Sequence, residues 1–202
     1  MIIDPTRLAL ILIDLQNDFL DPAGAYARAG VTAPAVAALP ARLAPVGAAM
    51  RRAGGLIVST HFTLVPGRGG EPIIAPRMKA LHPFLRRGDF APGSRGHALV
   101  AALAPADIAV EKVGYSAFYM SRLEWVLRHA GIDTLVVGGI ATNTAVASTV
   151  RDAELREFRS IVLADCCAAF DEAQHATAIA AIRTVAEVTN SDALIADLGK
   201  LA

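Results

Sequence analysis

Three groups able to do chemistry stand where apolar runs stop. Asp14 directly follows Leu8-Ala9-Leu10-Ile11-Leu12-Ile13, and Lys112 directly follows Ile108-Ala109-Val110-Glu111. The run Thr134-Leu135-Val136-Val137 gives way to Gly138-Gly139-Ile140-Ala141-Thr142-Asn143-Thr144-Ala145-Val146, and a helical pattern follows. A carboxylate straight after a buried strand costs desolvation unless it is used or paired. An ammonium facing it would favour its charged form. A helix N-terminus leaves backbone N–H groups free for an anionic ligand or a developing oxyanion. Together these make an acid/base pair beside an anion hole, which fits hydrolysis of an unspecified substrate. A nucleophile would sit on the first turn of that helix, and Ala145 stands there. Each feature also has a plainer reading: a turn aspartate, a solvated strand-end lysine, an ordinary strand-to-helix turn.

The elements that must position these groups follow from the same patterning. Leu8–Ile13 is apolar throughout, as a central parallel strand buried on both faces would be. Leu56–Thr60, Ile108–Glu111, Thr134–Val137, Ser160–Asp165 and Thr184–Thr189 read as further strands. Helical patterns lie between them. One spans 34–53, broken by Pro40 and Pro45 and closed by Gly54-Gly55. Another begins after Ser121, and a third starts at Asp171. A short helix is expected over His97–Leu103. Strand and helix alternate without a repeat or linker, so residues 1–202 are read as a single α/β domain with a doubly wound sheet. Ligands of such sheets bind beyond the carboxyl ends of the strands, where all three groups fall.

Composition narrows the functions. The 202 residues carry 19 basic and 19 acidic side chains, for zero formal charge. That argues against a dedicated nucleic-acid or membrane-surface protein. The run 8–13 is too short to span a bilayer. Met1 to Arg7 has no signal pattern, and the two cysteines, Cys166-Cys167, make no disulfide framework, so a reducing cytoplasm is expected. Both read as small buried hydrophobes. His61, His82 and His97 stand apart from one another and from other ligands, and read as hydrogen-bonded loop residues. Arg151-Asp152 reads as a local ion pair. Residues 62–107 are the least patterned, with Arg68, Arg77, Lys79, Arg86, Arg87 and Arg95 opposed by only Glu71, Asp89 and Asp107. They form either a lid drawing in an anionic substrate or a solvated surface loop.

In order and spacing, several stretches resemble the isochorismatase-like hydrolases, also called cysteine hydrolases. These are Ile11-Leu12-Ile13-Asp14-Leu15-Gln16-Asn17-Asp18-Phe19, Pro92-Gly93-Ser94, Lys112-Val113-Gly114-Tyr115-Ser116-Ala117-Phe118, Gly139-Ile140-Ala141-Thr142-Asn143, Ser148-Thr149-Val150-Arg151-Asp152-Ala153 and the Asp165 segment. The resemblance covers nearly the whole chain. It implies a three-layer α/β/α, Rossmann-like fold on a six-stranded parallel sheet, and for amidase members an Asp-Lys-Cys triad. Asp14 matches the proton-transferring Asp, and Lys112 the Lys that orients it. The Ile140–Ala141 peptide matches one usually cis, and the N–H groups of Ala141 and Ala145 match the oxyanion hole. Phe19 and Phe118 match pocket walls. Thr142-Asn143 resembles the amidase branch, with Asn143 a substrate contact. The metal ligands of the nicotinamidases have no match, so no metal or other cofactor is expected. The partner is a small molecule, and a homodimer or homotetramer is implied.

The chain departs from the pattern at Ala145, which matches the nucleophilic cysteine. Three readings stay open. The first is a hydrolase of the C–N bond in a small amide or carbamoyl compound, its cysteine replaced, by design or by nature. The second is a non-covalent vinyl-ether hydrolase of the isochorismatase type, with Asp14 as general acid. The third is a binding protein that has lost the chemistry.

Overall fold

Six strands line up in one parallel sheet of the order β3-β2-β1-β4-β5-β6. They are β1 (Leu8–Ile13), β2 (Leu56–Phe62), β3 (Ile108–Lys112), β4 (Thr134–Ile140), β5 (Arg159–Ala168) and β6 (Glu187–Thr189). The computed structural model describes residues 4–200; Met1 to Ile3, part of the stretch read for a signal pattern, lie outside the described residues. The chain winds outward from β1 through β2 to β3, then returns to the other side of β1 for β4. The crevice between β1 and β4 is therefore the topological switch point, where open α/β sheets bind ligands.

Nine α-helices are described: α1 (Asn17–Leu20), α2 (Ala25–Arg28), α3 (Pro34–Ala37), α4 (Leu39–Ala53), α5 (Pro76–Leu81), α6 (Leu123–His129), α7 (Ala147–Glu154), α8 (Glu172–Ile182) and α9 (Ser191–Gly199). They cover both faces of the sheet. Leu8, Leu10 and Leu12 point to one side, against Leu39, Leu43 and Met50 of α4 and Leu198 of α9. Ala9, Ile11 and Ile13 point to the other, against Leu127 of α6, Val150 of α7 and Ile182 of α8. This two-sided burial explains the unbroken apolar run in β1. Each fully buried Leu or Ile contributes roughly 1.5–3 kcal/mol relative to exposure. Among the described residues no helix is long and apolar enough to cross a membrane.

Several boundaries differ from expectation. β4 does not stop at its glycines but runs through them to Ile140. Gly139 pairs with Ile13, and a Cβ there would lie 2.1 Å from the Ile13 carbonyl oxygen at a φ of 134°. Glycine here permits close approach of two strands. β5 continues past Asp165 to Ala168, so both cysteines lie within a buried strand. β6 starts only at Glu187, and within His97–Leu103 the helical part is a single tight turn, Ala101–Leu103. The 34–53 helix is split into α3 and α4; Pro40 falls in the first turn of α4, where proline is tolerated, and Pro45 lies inside it. Arg151 and Asp152 do not pair. Asp152 meets Arg156 at 3.2 Å and Arg151 donates to the Ala147 carbonyl at 3.2 Å. Adjacent helical residues diverge, whereas i,i+4 partners share a face.

Candidate active site

Asp14 directly follows β1 in a left-handed conformation, φ 56°, its N–H donating to the Thr60 carbonyl at 3.1 Å. Lys112 ends β3, and its Nζ lies 2.7 Å from Asp14 Oδ2. Their side chains are only 2% and 5% exposed, so the pair is almost entirely removed from water. Nζ also donates to the Gly114 carbonyl at 2.8 Å and sits 5.6 Å from the Phe62 ring centroid. Asp14 Oδ1 and the Thr60 hydroxyl make no well-formed hydrogen bond, although that hydroxyl and the Phe62 backbone lie close enough to pull the carboxyl down a little. A buried polar atom left without a partner is costly, so it invites a functional account. Burial pushes the Asp14 carboxyl up from 3.8 to about 6, overcoming the downward pull of the Lys112 charge.

The turn after β4 lies across from this pair. The Ile140–Ala141 peptide is cis. Thr142–Val146 then forms a wide, π-helical turn that feeds α7, a geometry frequent at functional sites. Two side-chain bonds pin it to α8: Thr142 Oγ1 with His175 Nδ1 at 2.8 Å, and Asn143 Nδ2 donating to Gln174 Oε1 at 2.8 Å. Ala145 is 3% exposed. Asp14, Lys112, Ile140, Ala141, Asn143 and Ala145 all border one cavity of about 350 Å³, a small-molecule size.

Much of the rest of that cavity is aromatic. The chain has one Trp, three Tyr and seven Phe. Of these eleven, Phe19, Tyr26, Phe62, Phe84, Tyr115 and Phe170 line the cavity. Phe19, matched by resemblance to a pocket wall, borders this cavity. Phe118 is not among the lining residues. It stacks on Phe158 at 5.8 Å in the core beneath α7, which corrects the expected pocket wall. The basic residues of 62–107 do not reach the cavity either. That loop supplies Met78, Leu81, His82, Phe84 and Leu85 to it instead. Arg95 pairs with Asp21 at 2.6 Å, and Lys79 donates to the carbonyls of Pro83 and Leu85.

Two residues of the first motif hold the surrounding loops. Gln16 accepts from Phe62 N–H at 2.8 Å and donates to the Phe62 and His97 carbonyls at 2.9 and 3.0 Å. The buried Asp18 carboxylate accepts from Ala25 and Phe90 N–H at 3.1 and 2.6 Å. Tyr26, Phe84, Tyr115, Phe170 and Gln174 were not singled out by the sequence. The four aromatics share one signal, aromatic character in a chain with few aromatics, while Gln174 carried none.

The histidines correct the sequence expectation. His61 lies inside β2, buried and bonded to Ser59 Oγ at 2.9 Å, and its ring centroid is 5.1 Å from that of His97. The two border a separate cleft with Glu111 and Arg122. Burial and the neighbouring ring push His61 down to about 4. Among the described residues no three His, Cys, Asp or Glu side chains are grouped to hold a metal ion. Cys166 and Cys167 are free and buried, and neither borders the Asp14 cavity. Burial pushes the Cys166 thiol up to about 12 and raises that of Cys167 as well.

The buried Asp14–Lys112 pair lies at the carboxyl ends of a parallel sheet of the order 3-2-1-4-5-6. The isochorismatase domain profile matches residues 8–193, and the chain belongs to that family. It is 38% identical over 194 residues to the ureidoacrylate amidohydrolase RutB of Methylobacterium radiotolerans, covering 90% of this chain and 75% of that one. A cysteine hydrolase from Pseudomonas syringae superposes with a TM-score of 0.84 at 26% identity, over 99% of this chain and 96% of the other. The N-carbamoylsarcosine amidase of Thermoplasma acidophilum gives 0.71 at 26% identity, over 92% and 97%.

Proposed function

We propose that the chain is a single-domain hydrolase scaffold for the C–N bond of a small amide or carbamoyl compound, with Ala145 at the position of the nucleophile. The observation that carries the reading is the buried Asp14 carboxylate, paired through Oδ2 with Lys112 and bordering the same cavity as Ala145. The amidohydrolase names of the relatives support the reaction type.

With a thiol at position 145, the chemistry would run as follows. The Sγ–H proton passes to Asp14 Oδ1, and the thiolate attacks the carbonyl carbon. The oxyanion is received by the N–H groups of Ala141 and residue 145. The C–N bond breaks as Asp14 returns its proton to the leaving nitrogen, leaving a thioester. Asp14 then takes a proton from water, the hydroxide attacks the thioester, and the proton goes back to sulfur. Lys112 stays protonated and fixes the carboxylate throughout. With alanine at 145 the covalent steps have no nucleophile, and the cavity would bind without acylation. Phe19 and Asn143 would contact the substrate. The proposal includes a cytoplasmic setting and self-association, which the exposed Tyr119, Met120, Trp125 and Leu155 would suit.

The test compares the chain as given with Ala145→Cys on small amides, carbamoyl compounds and isochorismate, following ammonia and pyruvate. Ammonia from the cysteine form alone is expected. Pyruvate from the chain as given would instead support the vinyl-ether reading, with Asp14 as acid. Silence from both forms would sink the enzyme reading and favour a binding protein.

A further inference from the structure

Resting on that amide-hydrolase reading, the geometry points to an uncharged substrate: a small amide or carbamoyl compound with an apolar tail and no carboxylate. The tail chamber is built around Tyr26. Its ring centroid lies 4.6 Å from that of Phe19, 5.1 Å from Phe84, 5.1 Å from Phe170 and 5.9 Å from His82. Val31, Met78, Leu81 and Leu85 complete the wall.

Apart from the Asp14–Lys112 pair, the polar side chains that line the cavity carry amides, hydroxyls or an imidazole and no fixed positive charge. Among the described residues that line it, Lys112 is the one Lys or Arg, and it is held by Asp14 and the Gly114 carbonyl. Asn143 and Gln174 are bonded to each other. Burial pushes His82 towards its neutral form. Arg28 pairs with Asp89 and Arg95 with Asp21, and neither these nor Arg77, Lys79 and Arg86 border the cavity. A carboxylate placed here would lose its water, gain no unpaired cation, and lie near the Asp14 charge. A hydrocarbon or aromatic tail would lose water at no such cost. The amide end would point to Asp14 and the 140–145 turn, where the cavity keeps its polar atoms. This separates the chain from its 38%-identical relative, whose named substrate, ureidoacrylate, carries a carboxylate.

The test uses a matched pair on the chain as given, by titration calorimetry near neutral pH. Butylurea and 3-ureidopropanoate share the ureido head and differ mainly in the end of the tail. Butylurea is expected to bind at least about tenfold more tightly. Leu81→Arg, at the half-exposed mouth, should shift the preference towards 3-ureidopropanoate by about threefold or more. Equal or tighter binding of 3-ureidopropanoate by the parent chain, or no binding of butylurea, overturns the inference. Turnover by Ala145→Cys separates the two claims. Preferential hydrolysis of 3-ureidopropanoate would overturn the substrate class and keep the amidase. Preference for butylurea in binding, with no amide hydrolysed, would overturn the amidase reading and keep the chamber's selectivity.

Discussion

Removing both charges of the buried pair should alter the pH dependence of stability in one window and one direction. The Asp14 carboxyl titrates at 3.8 in its ordinary state and at about 6 in the fold. Between those values the native protein holds a proton that the unfolded chain has lost. Stability of the parent therefore falls as pH rises across this window and levels off above it. A shift of about two units, at about 1.4 kcal/mol each, amounts to about 3 kcal/mol. Asp14→Asn combined with Lys112→Met has no such titration. Its stability relative to the parent should thus rise by about 3 kcal/mol between about pH 4 and about pH 7. Urea unfolding at intervals of about one pH unit measures this, provided the slope m stays constant. Lys112→Met alone should move the Asp14 titration higher still, because desolvation remains and the compensating charge is gone. That variant should lose about 3–5 kcal/mol at neutral pH and recover as acid protonates Asp14. A difference that is flat with pH would refute the reasoning. So would one of opposite sign, which would mean that Lys112 outweighs burial and holds the carboxyl below 3.8.

Two further outcomes are expected. In the Ala145→Cys enzyme, ammonia release should climb through about pH 6 as Asp14 ionises, and adding Asp14→Asn should lower kcat about 10²–10⁴-fold; a pH-independent rate would remove Asp14 from the proton transfers. Gly139→Ala should cost about 3 kcal/mol or more, because its methyl would sit 2.1 Å from the Ile13 carbonyl oxygen at a backbone angle that only glycine adopts readily; a parent-like Tm would refute that.

Much of the fold was legible because burial on two faces leaves a strong trace. The run 8–13 could be little else than a central strand, and it carried Asp14 to the switch point. β3 was as clear, and with it Lys112. What failed was local. Gly138-Gly139 read as a break, yet the glycines serve an approach between strands that no pattern within β4 could announce. The cysteines looked like strand-end residues because Asp165 interrupts an apolar run, and the β5 backbone simply continues past it, with the Asp165 carboxylate accepting from Ser191 N–H at 2.9 Å. The cavity wall was the least legible part. Phe19 and Phe118 were weighed alike on resemblance, but a loop residue's direction depends on tertiary packing. Thr149 Oγ1 accepts from Ala117 N–H at 2.9 Å and draws that loop inward, so that Phe118 stacks on Phe158. The bases of 62–107 were visible as charge. Their partners, such as Asp21 for Arg95, lie too far along the chain to be seen from sequence.

The chamber and the acid/base pair are two results of one cause. Tyr26, Phe62 and Phe170 line the space beside Asp14, whose side chain is only 5% exposed, and the lost solvation is the largest influence raising its carboxyl to about 6. A carboxyl near 6 is poised for both halves of an amide hydrolysis, taking a proton from a thiol and returning it to an amine. The same dryness would penalise an ionised carboxylate on a substrate, since no second unpaired cation lines the cavity among the described residues. A chain that admitted anionic tails through an added arginine would therefore place positive charge near Asp14 and pull its carboxyl back down. Selectivity for neutral tails and a raised Asp14 should move together. A variant that gained carboxylate binding with the Asp14 titration unchanged would break that link.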